Sequence, residues 1–184
     1  MKNIGVILAR FQPIHNGHLA LIKKASQEND DVHVFIGSAD KFNERNPIPI
    51  NMRNDLAMHA IVEAGIKNCT LHWLDDLSDE SDNSHDWGFY LYSKIVTEIQ
   101  QSNFTIYYSD GFEIITSWFP GFILRNNVSL NLLARNATES GISATTVRKM
   151  ILEDSNELKD VVPSLVYEQR YVLKNLIELS KLKH

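Results

Sequence analysis

The chain has 184 residues, 43% of them hydrophobic and 22% charged, with a net charge of −5 and no long basic run. That composition supports one globular domain with a substantial core and argues against nonspecific nucleic-acid binding. One cysteine, Cys69, excludes an internal disulfide, and no apolar stretch is long enough to cross a bilayer.

Apolar, β-branched-rich runs at Ile4–Leu8, Val32–Ile36, Thr70–Leu74 and Thr105–Tyr108 read as strands. Longer amphipathic segments between them, Gly17–Glu28, Met52–Ala64 and Phe89–Gln101, read as helices. The alternation predicts βαβ units and, by the right-handed crossover rule, an α/β doubly wound parallel sheet. Asp75–Asp86 is acidic and Ser/Asn-rich and is expected to be a surface loop, with Glu63, Asp75 and Asp76 as solvated charges. A short helix over Phe112–Phe119, stopped by Pro120-Gly121, follows, and residues 121–133 are expected to supply a last strand, with Val128–Leu132 as a candidate within them. Ser143 or Thr145 is placed to cap a helix from about Thr146 to Glu153. Beyond Pro163, one helix over Ser164–Leu182 carries a buried apolar face and no chemistry. The whole of 1–184 is read as a single domain, with about 155–184 as a C-terminal helical extension.

Two segments carry chemistry. Residues 9–18 read Ala-Arg-Phe-Gln-Pro-Ile-His-Asn-Gly-His directly after the first strand. His15 and His18 lie three apart across a predicted helix start, where free N–H groups and the helix dipole favour anions. Arg10 adds charge, and Gly17 lets backbone approach a ligand. A metal held by the two histidines is disfavoured by Arg10 and by the lack of a carboxylate within the motif. The second segment, Gly141-Ile-Ser-Ala-Thr-Thr-Val-Arg148, sets Ser143 and Thr145 at another predicted helix start, with Arg148 one turn on. Such hydroxyls and cations hold phosphates. Arg45 follows the second strand, where it serves either as a phosphate contact or as a plain surface cation. Cys69 lies in an apolar strand context and is read as a small core residue.

The (G/A)RFQPxHxGH start with a late ISxTxxR resembles the HxGH nucleotidylyltransferase superfamily, and within it the archaeal-type nicotinamide mononucleotide (NMN) adenylyltransferases and the N-terminal domain of the bacterial bifunctional NMN adenylyltransferase–Nudix enzymes. Ile36-Gly-Ser-Ala39, Asn46-Pro47 with Arg53 following, Asp86-Trp87 and Trp118-Phe-Pro120 agree with it. Ala9, Ile48 and Met52 depart from the family's more usual Gly, Phe and Glu. No Nudix box occurs in the chain; a second pyrophosphatase activity is not expected of a protein of these residues alone, and in a longer protein that domain would lie beyond His184.

The resemblance implies a Rossmann-like nucleotidylyltransferase fold and transfer of AMP from ATP to NMN. His15, His18, Arg10 and Arg148 would be catalytic. Phe11, Gln12, Gly17, Ser143, Thr145 and Arg148 would bind ATP. Gly37, Ser38, Ala39, Trp87, Arg45 and Asp110 would bind NMN, with Trp87 stacking on the nicotinamide ring and Gly111 beside Asp110. Mg²⁺ would ride on the ATP phosphates with no protein ligands. Self-association and a cytoplasmic location complete the expectation, the latter also from the lack of a signal-peptide pattern. The alternatives are an adenylyltransferase for another phosphorylated acceptor such as phosphopantetheine, and a nucleotide sensor without turnover. A tRNA-ligating enzyme is disfavoured, because the chain is short, acidic and lacks an anticodon-reading region.

Overall fold

The computed structural model describes residues 2–79, 81–110, 112–134 and 142–182. Five strands, β1 (Ile4–Ala9), β2 (Asp31–Ile36), β3 (Cys69–Trp73), β4 (Phe104–Tyr108) and β5 (Val128–Leu132), form one sheet in the order β3-β2-β1-β4-β5. Every pairing is parallel. Chain order reverses its direction across the sheet between β1 and β4, and in open α/β sheets such a switch point opens a crevice at the strands' carboxyl ends.

Both faces of the sheet are covered, which is why its strands read as continuous apolar runs. Ile7, Val34, Ile36 and Tyr107 pack beneath α1 (Asn16–Glu28), α2 (Ile50–Glu63) and α6 (Ala144–Leu152). Val6, Phe35 and Ile106 pack on the other face beneath α3 (His85–Ile99), α4 (Phe112–Trp118) and α5 (Gly121–Asn126). Neighbours in sequence thus serve opposite layers, as the strand period of two requires. This is the doubly wound α/β fold expected from the sequence.

The C-terminal region corrects one expectation. In place of one helix over Ser164–Leu182 there are two, α8 (Ser164–Glu168) and α9 (Arg170–Ser180), preceded by a short α7 (Leu158–Val161). They part at Gln169, since α8 packs on α2 whereas α9 packs on α6. Leu173 and Ile177 are buried, but the apolar Val172 and Leu179 are 48% and 52% exposed. Two shorter differences are local. The Asp75–Asp86 loop ends at Ser84, whose hydroxyl accepts from the Trp87 amide and caps α3. α5 follows Pro120 where no helix was expected, because Pro120 is preset for the position before a helix. Cys69 opens β3 half-buried, and burial pushes its thiol up to about 12.

Gly88 fixes how the aromatic side of the crevice is assembled. A Cβ there would come within 1.7 Å of the Trp118 carbonyl oxygen, so only glycine lets α3 lie this close to the end of α4. Trp87 and Trp118 are brought edge to face, with ring centroids 6.3 Å apart.

Candidate active site

The first motif leaves β1 through Arg10, turns at Phe11 in the left-handed region (φ 49°), passes a cis Gln12–Pro13 bond and enters α1 at His15. Such a backbone is uncommon for a bulky residue. Ser38, just past β2, repeats it with φ 49°. Both turns are held by Arg53, which lies fully buried on the apolar stripe of α2 with Leu56, Ala57 and Ala60. Its guanidinium donates to the carbonyls of Arg10 (2.8 Å), Gly37 (2.8 Å) and Ser38 (2.9 Å). Burial, then the nearby charge of Arg10, lowers its pKa to about 10, while Asp76 acts the other way. It remains a cation at neutral pH.

His15 is buried, and its ring stacks on that of His18 with centroids 3.7 Å apart. Phe11 packs edge-on against His18 at 5.0 Å. A Cβ on Gly17 would press on the His15 ring at 3.1 Å. Gly17 therefore makes room for an imidazole, a role distinct from the ligand approach expected of it. Gln12 is clamped to Ile48, accepting from its amide at 2.9 Å and donating to its carbonyl at 3.3 Å.

The second motif closes on the first. Ser143 caps α6, accepting from the Thr146 amide at 3.1 Å. Arg148 donates to the Gln12 carbonyl at 2.9 Å and to the Thr145 hydroxyl at 3.3 Å. Two segments more than 120 positions apart in the chain thereby wall one cleft of about 340 Å³, which includes Arg10, His15, Gly17, His18, Ser143, Thr145 and Arg148. Among the described residues, no carboxylate lines it. Burial, then Arg10, lowers the Arg148 pKa from its ordinary value. Gly141, the first residue of that motif, lies outside the described residues.

Next to it is a second cleft, of about 420 Å³ and more apolar, which Arg10 and Arg45 also line. Its walls include Gly37, Ser38, Trp87, Ile114 and Trp118. Trp118 Nε1 donates to the Asn83 side chain at 3.0 Å, holding the indole in place. Asp76 is half-buried here and accepts from the Ser38 hydroxyl at 3.1 Å, so its reading as a solvated charge is corrected. Glu63 and Asp75 are exposed as expected. Ala39 is half-buried, with its amide on the Leu74 carbonyl at 3.0 Å. Asp110 is exposed, one residue beyond Ser109, which lines the histidine cleft. Gly111 lies outside the described residues.

Sequence reasoning missed two residues here. Trp118 stands in the sequence only as part of the Trp118-Phe-Pro120 motif, with no signal that it faces a cleft. Arg53 was overlooked as a structural pin, although an arginine on the apolar stripe of a helix is unusual.

Residues 6–150 match the profile of the family described as cytidylyltransferase-like. A nicotinamide-nucleotide adenylyltransferase of Picrophilus torridus is 28% identical over 167 residues, 86% of this chain and 85% of the relative. One of Thermococcus sibiricus is 27% identical over 179 residues, covering 97% and 88% of the two chains. Among solved structures, a bifunctional NMN adenylyltransferase/ADP ribose pyrophosphatase of Francisella tularensis, complexed with AMP and a Mn ion, superposes with a TM-score of 0.72 at 19% identity. That likeness covers 100% of this chain but 53% of the Francisella chain, so this chain spans about half of it.

Proposed function

The chain belongs to the cytidylyltransferase-like family, and we propose that it transfers AMP from ATP to the 5′-phosphate of NMN, forming NAD and releasing pyrophosphate. The observation that carries this reading is the pair of clefts that meet at Arg10 and Arg45. A cleft lined by arginines, histidines and hydroxyls suits a triphosphate. An adjoining aromatic cleft suits a flat, cationic pyridine ring, which stacks favourably on indole. The archaeal relatives' names supply the two substrates.

In this reading a phosphate oxygen of NMN attacks the α-phosphorus of ATP. The bond from that phosphorus to the oxygen bridging to the β-phosphate breaks, and pyrophosphate leaves with the electron pair. The attacking phosphate has a second pKa of about 6, so it is largely dianionic at neutral pH and needs no general base. The obstacle is repulsion between two anions. Catalysis is then positioning and electrostatic stabilisation. Arg10, at the junction, and His15 and His18 act at the α- and β-phosphates. Arg148, Ser143 and Thr145 hold the β/γ end. Trp87 and Trp118 orient the acceptor above Gly37 and Ser38. Magnesium enters with ATP, held by phosphate oxygens and water, which fits a cleft whose lining offers cations and hydroxyls.

A single nucleotidylyltransferase domain, self-association and a cytoplasmic location belong to the same reading. No helix among the described residues is long and apolar enough to cross a membrane. Exposed apolar side chains such as Phe89 and Phe122 support self-association, which sedimentation would test. The activity is tested by incubating the protein with ATP, Mg²⁺ and either NMN or phosphopantetheine. NAD formation with matching pyrophosphate release is expected with NMN alone. Turnover with phosphopantetheine only, or nucleotide binding without turnover, contradicts the reading.

A further inference from the structure

The histidine cleft does not stop at Thr145 and Arg148. Those residues, with Arg45, also line a shallower groove of about 600 Å³ that continues towards the end of α9. Lys149 and Lys181 line that groove too, together with apolar Leu152 and Ile177. Among the described residues, four cations therefore line one groove, against Glu44 as the one carboxylate. The chain as a whole is acidic, so this excess is local. Lys149 is exposed and its contact with Glu153 is long, at 3.9 Å. Contacts of that kind hold a side chain weakly.

A row of cations contiguous with a phosphate cleft concentrates small polyanions. Of the species in the proposed reaction, NMN and NAD each need the aromatic cleft on the other side of Arg10. Pyrophosphate alone is compact, wholly anionic and released on the Thr145–Arg148 side. We propose that this groove is a transit site for inorganic pyrophosphate, in which Arg45 and Arg148 pass it to Lys149 and Lys181. The proposal rests on the adenylyl-transfer reading. It gives α9, whose apolar pattern speaks only of packing, a part in product release. Release of product limits turnover in many enzymes.

The test uses the full chain and a Lys149→Gln/Lys181→Gln variant, both changes being at exposed positions. Inorganic pyrophosphate is titrated into each by calorimetry at low salt, and the reverse reaction of NAD with pyrophosphate is followed. Pyrophosphate Kd and KM are expected to rise together by about threefold to tenfold, the range for two exposed charges, with KM for NAD unchanged. A Lys23→Gln/Lys67→Gln control, with the same loss of net charge outside the groove, should move neither. Unchanged pyrophosphate affinity in the first variant, or an equal rise in the control, overturns the proposal. If the wild type binds pyrophosphate with this lysine dependence yet makes no NAD, the groove stands and adenylyl transfer falls.

Discussion

The sheet has a polar recess at each end, and the two are built differently. At the amino ends of the strands, a groove of about 430 Å³ is rich in carboxamides. There side chains satisfy one another. Tyr107 donates to Glu28 at 2.8 Å and accepts from Asn29 at 2.8 Å, Asn131 donates to Glu28 at 3.0 Å, and Asn127 to Asn103 at 3.0 Å. At the carboxyl ends, Arg53 and Arg148 donate instead to main-chain carbonyls, and the charge of Arg10 bears on both. Gathering like charges in a half-buried place is costly unless an anion joins them. What separates the two ends is convergent charge of one sign at the carboxyl ends against a dense but self-satisfied polar network at the amino ends.

Substitutions at the two ends should therefore behave oppositely. The largest effect is expected at the carboxyl end. His18→Ala should lower kcat by about 10²-fold, the size of one lost transition-state contact, with little change in thermal stability. An unchanged rate in a steady-state NAD assay would remove His18 from the chemistry. Gly88→Ala should cost about 2 kcal/mol of stability through overpacking against Trp118. For a chain of this size that is a fall in Tm of about 4–8 °C. KM for NMN should rise with it, because the indole pair is displaced. Trp87→Ala should raise KM for NMN by about fivefold to thirtyfold, the worth of a desolvated cation–π contact, and leave KM for ATP alone. An equal rise in both would show that the two clefts do not divide the substrates.

At the amino end, Tyr107→Phe should cost about 1 kcal/mol by chemical denaturation and leave both KM values unchanged. A loss of activity there would break the contrast. The smallest effect expected is one of pH. His33 and His72 meet across β2 and β3 at 2.9 Å. Burial above all holds both below the usual histidine pKa, and for His72 the nearby Glu98 opposes it. The folded protein then binds fewer protons than the unfolded chain below about pH 6.5. Stability should be full above that pH and fall as acid is added towards the lowered folded values. His72→Gln should flatten a plot of Tm against pH; an unaltered slope would assign the acid sensitivity elsewhere.

The strands and both motif segments were legible because their signals are local. β1 to β4 announce themselves by short apolar runs, and the histidine motif by its spacing across one helix start. That the two segments come together was expected from a resemblance; the contact that joins them, Arg148 to the Gln12 carbonyl at 2.9 Å, was not. What stayed hidden depends on packing between distant elements. The split at Gln169 follows from α8 and α9 having different partners, which one apolar stripe cannot reveal. Arg53 figures in the sequence only as part of a motif, and its part as a pin shows once three carbonyls from two strand ends are seen to surround it. Trp118 joins Trp87 only because Gly88 lets their helices touch.

The most direct measurement is a crystal structure of the protein with NAD bound. The adenylate should lie in the histidine cleft, the pyrophosphate bridge beside Arg10, and the nicotinamide ring against Trp87. NAD held with its nicotinamide end among His15, His18 and Arg148, or lying wholly outside the two clefts, would contradict the account.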